Sequence, residues 1–281
     1  MRVRGWLTPM LAFALLILPA ALRAQADTTP PNHLYDKWQF TGAATWVLLG
    51  SEARVDPEDG GEGTNVDLED DLGLDKSEFQ GRLAMRWRPG RRHELELGYQ
   101  FIRRNNTRTL QDTIVFADTS FPAGFRAKTK FNSDNAFLTY RFAVMAKENT
   151  QLGLALGVGA LFLGASIDGD GEIGPDSVHV KESFDQIAPI GSVGLYGRFR
   201  FADKWHVNAD ARAIGITIDR FDISVLEGGL STQYFFSPKW GAELGWSYSG
   251  VEVEAKSKSG DRSAKITYDF STARIGFVFV P

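Results

Sequence analysis

Ten stretches of this sequence alternate apolar with polar or small residues at a period of two, and no convincing amphipathic helix interrupts them. That pattern belongs to strands whose two faces meet different solvents, so the expected fold class is all-β. In the first stretch Trp38, Phe40, Gly42, Ala44, Trp46 and Leu48 share one face, with Gln39, Thr41, Ala43 and Thr45 on the other. Leu83, Met85 and Trp87 mark the second, Leu95, Leu97, Tyr99 and Phe101 the third, and Ala136, Leu138, Tyr140, Phe142 and Val144 the fourth. The fifth sets Leu152, Leu154, Leu156, Val158 and Phe162 against Gly153, Ala155, Gly157 and Gly159. The sixth sets Val193, Leu195, Phe199 and Phe201 against Ser192, Tyr196, Arg198 and Arg200. The seventh runs from Trp205 with His206, Asn208, Asp210 and Arg212 on its polar face. The eighth spans roughly Ile223 to Phe236 and is out of phase, the ninth is WGAELGWSY, and the tenth ends in Ile275, Phe277 and Phe279, with a bulge expected near Ser271. Those two irregular stretches leave the count between eight and twelve.

The joins between the stretches alternate in length. RPGRRH, AKENT, ADK and SPK are tight turns, whereas Ser51–Ser77, Arg103–Lys130, Ser166–Phe184 and Ser249–Ala264 are long and polar, with Asp219–Asp222 the one short exception. Short turns on one rim and long loops on the other describe a closed antiparallel transmembrane β-barrel. Such a barrel pairs every backbone group internally and leaves no edge strand, as hydrocarbon requires.

The N-terminus fits export. Arg2 and Arg4 precede an apolar run from Trp6 to Leu22, then Ala24-Gln25-Ala26, which together read as a secretory signal peptide over residues 1–26. Pro9 and Pro19 interrupt the run, leaving it short for a spanning helix of about 20 residues. Residues 27–36 read as a flexible polar leader, and 37–281 as the barrel domain. With no Cys in the chain, neither a disulfide framework nor a lipidated cysteine follows. The mature segment holds 28 basic against 35 acidic residues, which gives no footprint for nucleic acid.

On these residues, 37–281 resembles the small outer-membrane β-barrel proteins of Gram-negative bacteria. The closing segment ARIGFVFVP is similar to the C-terminal strand signal of that class, although its aromatic is Phe279 and the chain ends in Pro281. DLEDDLGLDKSEFQGRLAMRWRP is similar to exported barrels in which a DLxxDLGL loop leads into the second strand. The resemblance implies outer-membrane lipid and the barrel-insertion machinery as partners, a monomer, and a location rather than an activity.

The polar faces carry the candidate chemistry. Arg82, Arg86, Arg88, Arg141, Arg198, Arg200, Arg212 and Arg274 are expected to point inward with Glu94, Glu96, Asp210 and Glu243. In a barrel this narrow they form either a filled, charge-paired core or the wall of a narrow, anion-preferring pore for small solutes or ions. Trp38, Trp87, Phe199, Phe201, Trp205, Tyr234, Phe236 and Trp240 are expected in an aromatic girdle at the short-turn rim.

No cofactor is expected. Asp168, Asp170 and Glu172 resemble the start of a calcium loop but lack its closing Glu, so a solvated acidic loop is the simpler reading. His179, near Asp176, Ser177 and Ser183, is the one His on the long-loop side, and a hydrolytic triad there is a weak alternative to a role without catalysis. Two further readings remain: loop-mediated adhesion through 51–77 and 103–130, and a soluble exported β-barrel. Trp46, Phe142, Phe162, Phe199, Phe201, Trp246 and Phe277 discriminate the last, being exposed only if the protein spans a membrane.

Overall fold

The computed structural model describes residues 31–56, 64–116, 119–173, 176–219, 221–256 and 263–281. The signal segment 1–26 lies outside them. The wall is built from β1 (Trp38–Val55), β3 (Ser77–Trp87), β4 (His93–Thr109), β7 (Arg126–Lys147), β8 (Thr150–Ile173), β9 (Asp176–Ala202), β10 (Trp205–Ile218), β11 (Phe221–Phe235), β12 (Trp240–Lys256) and β13 (Ser263–Phe279). Each pairs with its chain neighbour, and β13 returns to β1, from Phe40↔Phe279 to Val55↔Ala264, closing an antiparallel ten-stranded barrel. The short β2 (Val66–Asp67) adds to the outer end of β1, and β5 (Ile114–Phe116) with β6 (Thr119–Phe121) makes a separate hairpin.

Three of the joins expected to be long loops are largely strand. β8 and β9 run 24 and 27 residues and remain paired out to Ile173↔Asp176, while β12 and β13 pair out to Lys256↔Ser263. The hairpin β5–β6 occupies part of the third. Polar composition misled here, because strands that leave the bilayer have polar outer faces.

The outward residues form an apolar belt: Trp46 is 58 % exposed, Leu195 63 % and Phe277 65 %, and Phe162, Phe199, Phe201 and Trp246 are exposed as well, with Phe142 half-buried. A wall of exposed aromatic and aliphatic groups this extensive needs lipid around it. The soluble-barrel reading therefore fails.

Beyond the belt the alternation changes parity. On β8 the outward Leu152, Leu154, Leu156 and Val158 give way to buried Leu161, Leu163 and Ile167, while the carboxylates of Asp168 and Asp170 lie on the other face. β12 passes from outward Leu244 and Trp246 to buried Val251 and Val253, and β11, running inward, passes from buried Ile223 and Val225 to outward Leu226 and Leu230. Where lipid is outside, apolar groups face out; where water is outside, the hydrophobic effect turns them in. This inversion is why the eighth stretch looked out of phase. It also replaces the bulge expected near Ser271, since β13 pairs without interruption with both β12 and β1. The register shifts that do occur lie at Ala143/Met145 and Trp205/His206.

Candidate functional site

The inner half of the lumen is a charge network centred on β4. Glu94 and Glu96 are two residues apart, so both point inward, and the register sets Arg141 opposite Glu94 and Arg86 opposite Glu96. Arg88 and Arg198 donate to Glu94, the latter also through Nη2 at 2.6 Å. Arg141 Nη1 bridges the two acids at 2.8 Å to each, and Arg86 and Arg82 reach Glu96 at 3.3 and 3.2 Å. Glu94 and Glu96 are buried. Farther round the wall, Glu243 accepts from Arg274 Nε at 2.8 Å and from Gln233 at 2.7 Å. Arg212 lies 3.5 Å from Asp210 and 3.3 Å from Glu227. Arg200 departs from the expected lumen network by pairing with Asp203 of the adjoining turn at 3.0 Å.

Between these groups lies a polar chamber of about 130 Å³. Arg82, Arg86, Arg141, Arg198, Arg212 and Arg274 line it, together with Glu96, Asp210, Glu227 and Glu243. Glycines make room for two of the guanidinium groups: a Cβ on Gly157 would stand 2.8 Å from Arg212, and one on Gly245 2.8 Å from Arg274.

The outer half of the lumen is filled by the chain itself. Val47, Leu49, Ile102, Phe131, Leu163, Ile167, Val251 and Val253 form an apolar core with Leu68, Leu72 and Leu74 from the first loop and Phe121 and Phe125 from the second. The DLEDDLGL segment folds into a compact turn because the Asp67 carboxylate accepts from the amides of Glu69 at 2.9 Å and Asp70 at 2.7 Å. Gly73 closes it at φ 70°, where Asn106 and Arg108 leave no space for a side chain. Glu69, buried on this turn, is bonded by Arg104, itself buried beneath the rings of Phe131 and Tyr268, and accepts from the Ser51 amide at 2.8 Å. The sequence reading took this segment, Glu69 included, for a solvated acidic loop with at most weak affinity for divalent cations, and missed Arg104 and Glu227. Parity was the available signal: Arg104 is an even-numbered residue of β4, on the face of Glu94.

The inner mouth is covered by residues within the segment read as a flexible leader. Leu34 and His33 are buried, His33 stacking on Phe235 with ring centroids 3.6 Å apart and lying edge-on to His206 at 5.9 Å. Arg88 donates to the Leu34 carbonyl, and Asn32 to the Glu148 carbonyl at 2.7 Å. At the same rim Trp38 stacks on Trp87, Trp205 meets Tyr234, and Trp240 meets Phe279, as their cross-strand registers demand, and Trp205 also meets Phe201 across the short turn. Phe199 and Phe236 are exposed there.

On the projecting wall, His179 Nδ1 stands 2.7 Å from Asp170 and 3.5 Å from Asp168. These three groups could offer ligands to one ion, but Lys181 is in register with Asp168, and Lys128 and Arg126 of β7 are in register with Asp168 and Asp170. Cations thus stand in register beside both carboxylates, the pattern of a cross-strand charge ladder. The side chains of Glu172, Asp176 and Ser177 lie outside the described ones. Ser183 sits four strand residues from His179, about 13 Å away, too far for a triad. The Asp170 hydrogen bond and then the Asp168 charge hold His179 above its ordinary pKa. Replacing Asp170 with Asn should lower the His179 pKa in an NMR titration. Because the folded value is raised, the ladder's small stabilisation is present at acid pH and lost as pH rises through that value.

No protein-family model matches the chain, and no curated protein matches it. The outer-membrane protease OmpT of Escherichia coli superposes with a TM-score of 0.54 at 11 % identity, over 86 % of this chain and 97 % of that one. This is the fold of a bacterial outer-membrane β-barrel. The translocator domain of autotransporter NalP from Neisseria meningitidis gives 0.49 at 13 %, over 85 % and 88 %, and the Pseudomonas putida toluene transporter TodX gives 0.35 at 10 %, over 90 % and 92 %. Identities this low report shared architecture, so the activity of an outer-membrane β-barrel must be argued from its own side chains.

Proposed function

We propose that this protein is a monomeric outer-membrane barrel of the Gram-negative envelope, exported through cleavage of residues 1–26 and placed in lipid by the barrel-insertion machinery. Its role is structural, without catalysis and without an open pore. The observation that carries this reading is closure at three levels: the His33–Tyr35 turn under the inner mouth, the Glu94–Glu96 network above it, and the Leu68–Leu74 plug in the outer half. An aqueous path must cross an apolar core to traverse the barrel. Purified protein in planar bilayers should therefore show no unitary steps over a range of voltages, and stable openings of the unaltered chain would overturn the reading.

A second role, binding or adhesion at the cell surface, draws support from the wall formed by β7, β8 and β9. These strands run 22, 24 and 27 residues, and β8 continues 11 residues past Phe162, about 35 Å of strand beyond the apolar belt. Loss of cell-surface binding on shortening the β8–β9 hairpin, with the barrel still folded, would favour it.

A further inference from the structure

We infer that the mid-barrel chamber is a binding site for a small divalent oxyanion of the sulfate or phosphate class. The inference goes beyond the structural role, since a closed barrel needs no ligand. Six guanidinium groups and four carboxylates line the chamber, an excess of two positive charges. Adding the neighbouring Arg88 and Glu94, which pair with each other, leaves that excess unchanged. Charge removed from water without a partner is costly, so a surplus of two held between an apolar plug and a covered mouth calls for a counter-ion inside. Donor capacity remains for it: among the described residues, Nε of Arg86 and Nε of Arg212 are buried with no hydrogen bond of good geometry, their nearest carboxylates being Glu94 at 3.4 Å and Asp210 at 3.5 Å. Planar guanidinium forks match tetrahedral oxyanions in two-point contacts. The volume of about 130 Å³ admits an ion of a few heavy atoms with water around it. Gly157 and Gly245, whose missing side chains leave Arg212 and Arg274 room against the wall, show that the space is shaped around these cations.

Closure makes exchange slow, so the probe is radiolabelled inorganic sulfate present during refolding into detergent, with chloride at equal ionic strength as the competitor. After gel filtration the unaltered chain should retain about one sulfate per barrel. Arg212→Gln, which removes a donor and one positive charge, should weaken retention by about tenfold. Glu227→Gln, which removes a carboxylate beside the same guanidinium, should strengthen it. Heat-modifiable migration checks that each variant is folded, and if Arg212→Gln fails to fold, Glu227→Gln alone still decides. Retention no greater than with chloride alone, or weaker in Glu227→Gln than in the unaltered chain, overturns the site. Conductance is scored separately, so a protein that retains sulfate but conducts would sink the closed-barrel reading and leave the anion site standing.

Discussion

Replacing Glu94 with alanine should destabilise the folded barrel by about 3–5 kcal/mol, the range for removing one partner of a buried ionic cluster. Glu94 is bonded by Arg88, Arg141 and Arg198, with Arg86 3.4 Å away, so its loss leaves several guanidinium groups facing one another in a narrow lumen. Glu243 has one arginine and a glutamine as partners, and Glu243→Ala should cost less. Urea titration of protein refolded into phospholipid vesicles measures both. Equal midpoints for Glu94→Ala and the unaltered chain would mean that solvent or other groups already compensate these charges.

Arg104→Ala should release the outer plug. The substitution leaves the Glu69 carboxylate, still bonded by Ser51, without its counter-charge beside the apolar core, at a cost of about 3–5 kcal/mol to the docked turn. The barrel wall, held by its closed ladder, should survive. The measurable result is proteolysis within the DLEDDLGL segment at protease concentrations that leave the unaltered protein intact. Glu69→Leu on the same background should restore protection, because an apolar group of similar size suits that core. If Arg104→Ala is as resistant as the parent, the leucines rather than the ion pair hold the plug. The inner network stays in place in either case, so conductance is not expected from this change alone.

Much of the wall could be read directly. Period-two alternation gave the lipid face of Trp46 and Phe277 and the lumen face of Arg141 and Glu243, because a strand's geometry decides faces without reference to any distant residue. Cross-strand rings such as Trp38 with Trp87 follow from the same local rule. Strand ends were misjudged because the reading assumed one solvent outside the barrel along its whole height, whereas there are two. The misplaced bulge at Ser271 and the out-of-phase reading of Ile223–Phe236 share that cause.

The plug was illegible for a different reason. DLEDDLGL is polar enough to read as surface, and its three leucines are too few to signal burial until Ile102, Phe131, Leu163 and Val251, from four separate strands, converge on them. Likewise His33 lies in a short polar segment, and nothing nearby in sequence announces Phe235 as its stacking partner.

By itself, then, the sequence determined the class of fold, the strand number to within two and the face of most wall residues, since each depends on alternation over a few neighbouring positions. Only the tertiary structure showed that loop side chains fill the outer half of the lumen with an apolar core and that the inner half holds the Glu94–Glu96 network. Filling depends on side chains far apart in the chain meeting across a barrel interior, and no local pattern encodes which of them will touch.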